Sequence, residues 1–257
     1  MQRLIPLREP APVRPGAPSW RAFLELGFRP LYLAGTGWAL VSIAIWVFAP
    51  HWLAGPLAGV AWHAHEMLWG FVATIAVGFL LTAGANWTGQ VPLAGAGLGA
   101  ALALWAVARA GFLVGTPAAF HVAAAAELLF FAVAAAAMAR VVWRTRNRRN
   151  YVVPPMMLGL GVADALFLAS LDDWTATLRA FNAGLLVMAL IALLVARRVI
   201  PFFAMRAVAG LQIPMHDDTA RAQLVAGAVA VVALLAGWPW LLAAGAGTAG
   251  ALALWQV

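Results

Sequence analysis

The chain has 257 residues, of which 65% are hydrophobic and only 10% are charged, and its mean hydropathy is +0.90. Soluble domains carry about 45–50% apolar and about 25% charged residues, so this composition excludes an ordinary soluble fold. A chain in lipid must satisfy its backbone hydrogen bonds in helices or in a closed barrel, and long unbroken runs rich in Ala and Leu favour helices. We therefore predict an all-α fold, a polytopic transmembrane helical bundle.

The residue types limit the chemistry further. Cysteine is absent, which excludes disulfides, zinc–thiolate sites, iron–sulfur clusters and haem held by a thiolate. The net charge of +7 comes from arginine alone, because lysine is also absent. These arginines lie in short segments between apolar runs, which indicates a role in membrane orientation and argues against nucleic acid as a partner.

In chain order, residues 1–30 are predicted to form an irregular cytoplasmic arm and residues 31–257 a transmembrane helical domain. About twenty mostly apolar residues suffice to cross a bilayer as a helix. Eight such segments follow, predicted at 31–49, 62–85, 93–114, 119–143, 152–171, 178–200, 222–236 and 240–257. Several prolines, among them Pro50, Pro92 and Pro201, lie near the proposed ends, where the missing N–H costs least.

The arginines predict the orientation of the bundle. They concentrate in three regions: before the first helix, between the fourth and fifth helices, and between the sixth and seventh helices. If each of the eight helices crosses the membrane, these three regions lie on the same side of it. Cytoplasmic loops are enriched in Arg and Lys, so we predict that the N-terminus lies in the cytoplasm.

Seven ionisable side chains fall at membrane depth, where such groups are costly and usually functional. With the predicted topology, all seven lie in the outer half of the membrane, so we predict one polar chamber facing the outer side. They are His63, His65, Glu66, Arg109, His121, Glu127 and Asp164. The alternative is a set of separate interfacial residues wetted by headgroup water. Pairing of Arg109 with Glu127 or Asp164 would be the least costly way to bury these charges.

The segment from His63 to Met67 concentrates most of this chemistry. Residues two apart on a helix point about 200° apart, so His63 and His65 cannot clasp one metal from a regular turn. His63 and Met67 are four apart and share a face, and an imidazole with a thioether suits haem iron or Cu(I). Glu66 could hold a ligand imidazole through its second nitrogen.

Five motifs resemble those of NnrS proteins in order and spacing, over roughly residues 25–205. The run of residues 63–67 and the turn after the second helix are the most specific part. The motifs are Phe28-Arg29-Pro30, His63-Ala64-His65-Glu66-Met67, Gly78-Phe79-Leu80-Leu81-Thr82-Ala83, Asn86-Trp87-Thr88-Gly89 and Arg198-Val199-Ile200-Pro201-Phe202-Phe203.

The resemblance implies a haem- and copper-containing protein of the bacterial inner membrane that is associated with denitrification, nitric oxide and nitrosative stress. It makes His63, His65 and Met67 the expected cofactor-binding residues. The predicted metal ligands are His63, His65 and, as our addition, His121. Nitric oxide is the expected small-molecule ligand and the lipid bilayer the expected surroundings. Family members are longer, and we expect this chain to lack their C-terminal helices. Whether the protein is an enzyme stays open.

Two other functions are compatible with the residues. A proton-coupled transporter or permease could use the polar cluster of Glu66, Arg109, Glu127 and Asp164. A maturation factor could bind a metal centre and pass it on.

Overall fold

A computed structural model describes residues 19–208, 210–214 and 217–255, so most of the predicted N-terminal arm lies outside the described residues. Within these ranges the chain forms eight long helices and no β-strand, which confirms the all-α prediction. The helices are α1 (Phe28–Phe48), α2 (Gly59–Thr88), α3 (Gly95–Val114), α4 (Pro117–Arg144), α5 (Val153–Ala169), α6 (Trp174–Ala207), α7 (Asp217–Ala236) and α8 (Pro239–Trp255).

Seven of these helices, α1 to α7, are long and apolar enough to cross a membrane, and α8 is shorter with 17 residues. A single helical turn, Trp20–Phe23, precedes α1 and is capped by Ser19. The predicted helix ends within the described residues match the observed ones to within four residues, except at the C-terminal end of α6 and at the N-terminal end of α7, which begins at Asp217 and not at 222.

Two boundaries differ for physical reasons. We expected Pro201 to end the sixth helix, but α6 continues through it to Ala207. Membrane helices tolerate an internal proline when neighbouring groups satisfy the freed carbonyls. The segment from Phe28 to Pro30, predicted to precede the first helix, forms its first turn instead. A proline there loses no hydrogen bond, and the Phe28 N–H donates to the Thr82 hydroxyl at 2.9 Å.

Helix α2 is the central element of the bundle. Of its apolar stretch, 61% is buried, compared with 22% for α1. It packs against α1, α4, α5 and α6, while consecutive helices from α3 to α8 pack as neighbours. An ionisable residue on α2 is therefore more enclosed by protein than one on α1.

The middle of α2 is not a regular α-helix. Residues Glu66–Ala73 form a π-helical segment between α-helical Gly59–His65 and Thr74–Thr88. Two carbonyls within it accept side-chain donors: that of Trp69 from the Thr74 hydroxyl at 3.0 Å, and that of Gly70 from the Trp105 indole at 3.2 Å. Such wide turns are frequent at functional sites, and this one begins directly after His65.

Candidate functional site

Five ionisable side chains from four helices meet in the interior of the bundle. We name them the buried charge cluster: His65 and Glu66 from α2, Arg109 from α3, Glu127 from α4 and Asp164 from α5. Each is at most 2% exposed. All five lie toward the end of the bundle that carries the loops 49–58, 115–116 and 170–173. Direct contacts join these five of the seven groups predicted to form one polar chamber, whereas His63 and His121 lie outside it.

Glu66 is the acceptor that joins three helices. Its Oε2 accepts hydrogen bonds from Arg109 Nη1 and from the Trp38 indole of α1, and its Oε1 lies 3.2 Å from His65 Nδ1. The predicted role of Glu66, to hold an imidazole through its second nitrogen, agrees with this contact. Hydrogen bonds to a charged group contribute about 1.5–3 kcal/mol each, so Glu66 is firmly oriented.

Arg109 bridges two carboxylates. Its Nη1 contacts Glu66 and its Nη2 contacts Glu127 Oε1, so the hypothesised pairing with Glu127 is present and Glu66 is a second partner. The guanidinium carbon also lies 5.4 Å from the centre of the Phe112 ring. A buried guanidinium without such partners would be strongly destabilising, so these contacts are what make Arg109 tolerable at this depth.

The Nε2 atom of His65 faces two carboxylates at once. It lies 3.0 Å from Asp164 Oδ1 and 3.2 Å from Glu127 Oε2. Glu127 forms a close ion pair with Arg109 and lies close to His65, but neither contact has the alignment of a hydrogen bond. One donor atom from each of His65, Glu127 and Asp164 lies within 4.8 Å of the others, a spacing that could hold a metal ion.

The charges of the cluster are not balanced by its own fixed cation. It contains three carboxyl groups and one guanidinium, so with His65 neutral and all carboxyls ionised its net charge is two units negative. Buried net charge is very costly in a low-dielectric interior. The arrangement therefore requires bound protons or a bound cation, and it is chemically able to hold either.

The other predicted ligands lie outside the buried charge cluster. His63 is half-buried and stacks on Trp46 of α1 with ring centres 4.8 Å apart, and no described residue offers its buried Nδ1 a hydrogen bond. Met67 is also half-buried, and His121 is exposed beside Phe120. His63 and His65 thus face different neighbours, as their spacing on the helix predicts.

Two residues that complete the cluster were missed from the sequence. Trp38 lies in the middle of α1 rather than at an interfacial end, which is a usable signal. Gly70 follows Glu66 by four residues, and a Cβ atom at this position would collide with Arg109 and Glu66. A glycine one turn from a buried carboxylate could have indicated a close approach of another chain segment.

A haem group does not fit at His65 in this arrangement. Both ring nitrogens face carboxylates, and the imidazole is enclosed by Trp69, Phe112 and Phe167 with ring centres 4.9–5.7 Å away. His63 fits better, because its Nδ1 is buried without a partner in the described part of the chain. Cu(I) prefers imidazole and thioether ligands over carboxylates, so its donors would also be His63 and Met67 rather than the cluster.

Comparison with known proteins identifies the family. The sequence model of the NnrS protein family matches residues 22–257, which include all eight helices and the buried charge cluster. No curated protein and no solved structure matches the chain. Because the match covers well over half of the chain, this protein belongs to the NnrS family.

Proposed function

We propose that this NnrS-family chain is a multi-pass protein of the bacterial inner membrane that binds haem and copper and acts in nitric oxide metabolism or in resistance to nitrosative stress. The observation that carries the proposal is an ionisable group at membrane depth, His63, whose buried Nδ1 has no hydrogen-bond partner among the described residues, in a chain matched by the NnrS family. Burial of such groups at membrane depth is costly and is usually maintained for function.

In this proposal His63 is the ligand of the haem or the copper, with Met67 and His121 as further candidate donors. Trp46 stacks on the His63 ring and holds its plane, and the buried Nδ1, to which no described residue bonds, is a donor atom free for coordination. A haem held by these residues would supply an iron coordination position for nitric oxide. Nitric oxide is small, uncharged and lipid-soluble, so it can reach a site at this depth through the bilayer.

The proposed orientation follows from the arginines at the two ends of the bundle. Arg144, Arg146, Arg148 and Arg149 lie at the end opposite the buried charge cluster, as does Arg206. Cytoplasmic loops carry an excess of such residues. The N-terminus is then cytoplasmic and the cluster lies in the outer half of the membrane.

The test is an absorption spectrum of the detergent-purified chain, oxidised and reduced, with and without nitric oxide, together with haem and copper analysis. We expect a Soret band that shifts on adding nitric oxide, and loss of the haem or the copper in His63→Ala. The matched control is His51→Ala, since His51 is an exposed histidine in the loop before α2. A chain without haem or copper, or equal contents in both variants, would refute the proposal. Metal that is substoichiometric and exchangeable would favour the maturation-factor role instead.

A proton-coupled transporter is the second candidate. The observation in its favour is that His65 connects Glu127 and Asp164 in one continuous network with Arg109 and Glu66. Proteoliposomes with an imposed pH gradient test it. Solute or proton uptake that Asp164→Asn abolishes would support it, and uptake equal to that of empty liposomes would refute it.

A further inference from the structure

We propose that His65, Glu127 and Asp164 hold one divalent first-row cation of the Mn²⁺, Fe²⁺ or Zn²⁺ class, at a centre separate from the haem and the copper. The inference goes beyond the proposed function, because it assigns a metal to the buried charge cluster, which neither the haem nor the copper occupies. It is tested by metal content and by spectroscopy of that ion, so its outcome is distinct from the response to nitric oxide.

The spacing of the donor atoms fits one shared ion. His65 Nε2 lies 3.0 Å from Asp164 Oδ1 and 3.2 Å from Glu127 Oε2. Nitrogen and oxygen ligands bind zinc at about 2.0–2.2 Å, which places neighbouring ligand atoms about 3.0 Å apart at a right angle and about 3.4 Å apart in a tetrahedron. Both observed separations lie within this range.

The orientation of the imidazole also fits a metal ligand. Its Nδ1 lies 3.2 Å from Glu66 Oε1, and a proton on Nδ1 would be donated to that carboxylate. Metal-binding histidines almost always donate their other N–H to a carboxylate, carbonyl or water. Nε2 then presents its lone pair to two carboxylate oxygens, which is unfavourable unless a proton or a metal cation lies between them.

The electrostatics favour a double positive charge at this point. A divalent ion would neutralise the two negative charges that remain when the guanidinium of Arg109 balances one of the three carboxylates. Arg109 contacts Oε1 of Glu127 and leaves Oε2 directed at His65. The Oδ2 atom of Asp164 is buried and no described residue bonds to it, so Asp164 has a second oxygen to offer.

The donor set selects the class of metal. One imidazole and two carboxylates, with no sulfur among them, suit Mn²⁺, Fe²⁺ and Zn²⁺ better than the soft ion Cu(I). Trp69, Phe112 and Phe167 surround the His65 ring, so an ion here would be shielded from water on that side.

The experiment uses the full chain purified in detergent, stripped with a chelator and reloaded separately with Zn²⁺ and Mn²⁺. We expect one tightly bound ion per chain by elemental analysis, and a loss of affinity of at least about tenfold in Asp164→Asn, since even residues that only support a ligand change affinity by about 10–100-fold. Asp172→Asn is the matched control because Asp172 is an exposed loop carboxylate, and its affinity should equal that of the wild type.

A second measurement does not depend on a variant that folds. In Mn²⁺-loaded wild-type chain grown with ¹⁵N-histidine, pulsed electron paramagnetic resonance should show coupling to the nitrogens of a single imidazole. Absence of that coupling, or equal affinity in the wild type, Asp164→Asn and Asp172→Asn, would overturn the inference. A haem spectrum that responds to nitric oxide in a chain that binds no divalent ion would overturn this inference alone. A stoichiometric divalent ion in a chain with neither haem nor copper would overturn only the proposed function.

Discussion

The Gly70→Ala variant should have a lower free energy of unfolding than the wild type, although the substitution adds only one methyl group in a helix. The new Cβ would collide with Glu66 Oε2 and Arg109 Nη1 and would lie 3.1 Å from the Trp38 indole nitrogen. These are the three groups that meet at the Glu66 carboxylate, so the methyl group must separate them. Breaking a buried ion pair costs about 3–5 kcal/mol. Alanine regains about 1 kcal/mol of helix propensity.

The expected net loss is therefore about 2–4 kcal/mol in the free energy of unfolding. Denaturant titration of the detergent-solubilised chain, followed by circular dichroism, measures it. Gly37→Ala is the matched control, because Gly37 is an exposed glycine of α1 whose added Cβ would meet nothing within 4 Å. Gly37→Ala should be neutral or slightly stabilising. Equal stabilities of the two variants would refute the assigned packing around Glu66.

The other predictions concern the partners of Glu66. Arg109→Gln should lower the free energy of unfolding by about 3–5 kcal/mol, because Glu66 and Glu127 lose their buried cation. Arg179→Gln is the control at an exposed position of α6, and it should change the free energy of unfolding by less than about 0.5 kcal/mol. Similar losses in the two variants in the same titration would contradict the conclusion that burial makes the Arg109 contacts important. Trp38→Phe keeps an aromatic ring but removes the indole N–H that donates to Glu66, so thermal unfolding should show a loss of about 1.5–3 kcal/mol. An unchanged unfolding curve for Trp38→Phe would show that this hydrogen bond contributes nothing.

Helix number and position could be predicted from the sequence because the thickness of the hydrocarbon layer sets the length of an apolar segment. The depth of the buried charge cluster followed from the same reasoning. Glu66 and Glu127 lie near the starts of their helices, whereas Arg109 and Asp164 lie near the ends of theirs. Alternating helix direction places all four at one end of the bundle, whichever way each helix is rotated.

Helix rotation and order could not be predicted in this way. All seven ionisable groups lie toward the same end of the bundle, but only packing decided that His65 faces Glu127 and Asp164 while His63 faces Trp46 and His121 stays exposed. In lipid, the apolar face of a helix can contact either a neighbour or the bilayer, so hydrophobicity does not indicate which face turns inward.

The sequence by itself determined the all-α membrane architecture, the family, and the shared depth of the charged residues, because each depends on composition or on position along the chain. Only the tertiary structure decided that His65, Glu127 and Asp164 converge on one point and that Gly70 makes room for the Arg109–Glu66 pair. These contacts join residues 43 to 99 positions apart. Their geometry depends on the packing of four helices and on the π-helical turn of α2, which no local pattern encodes.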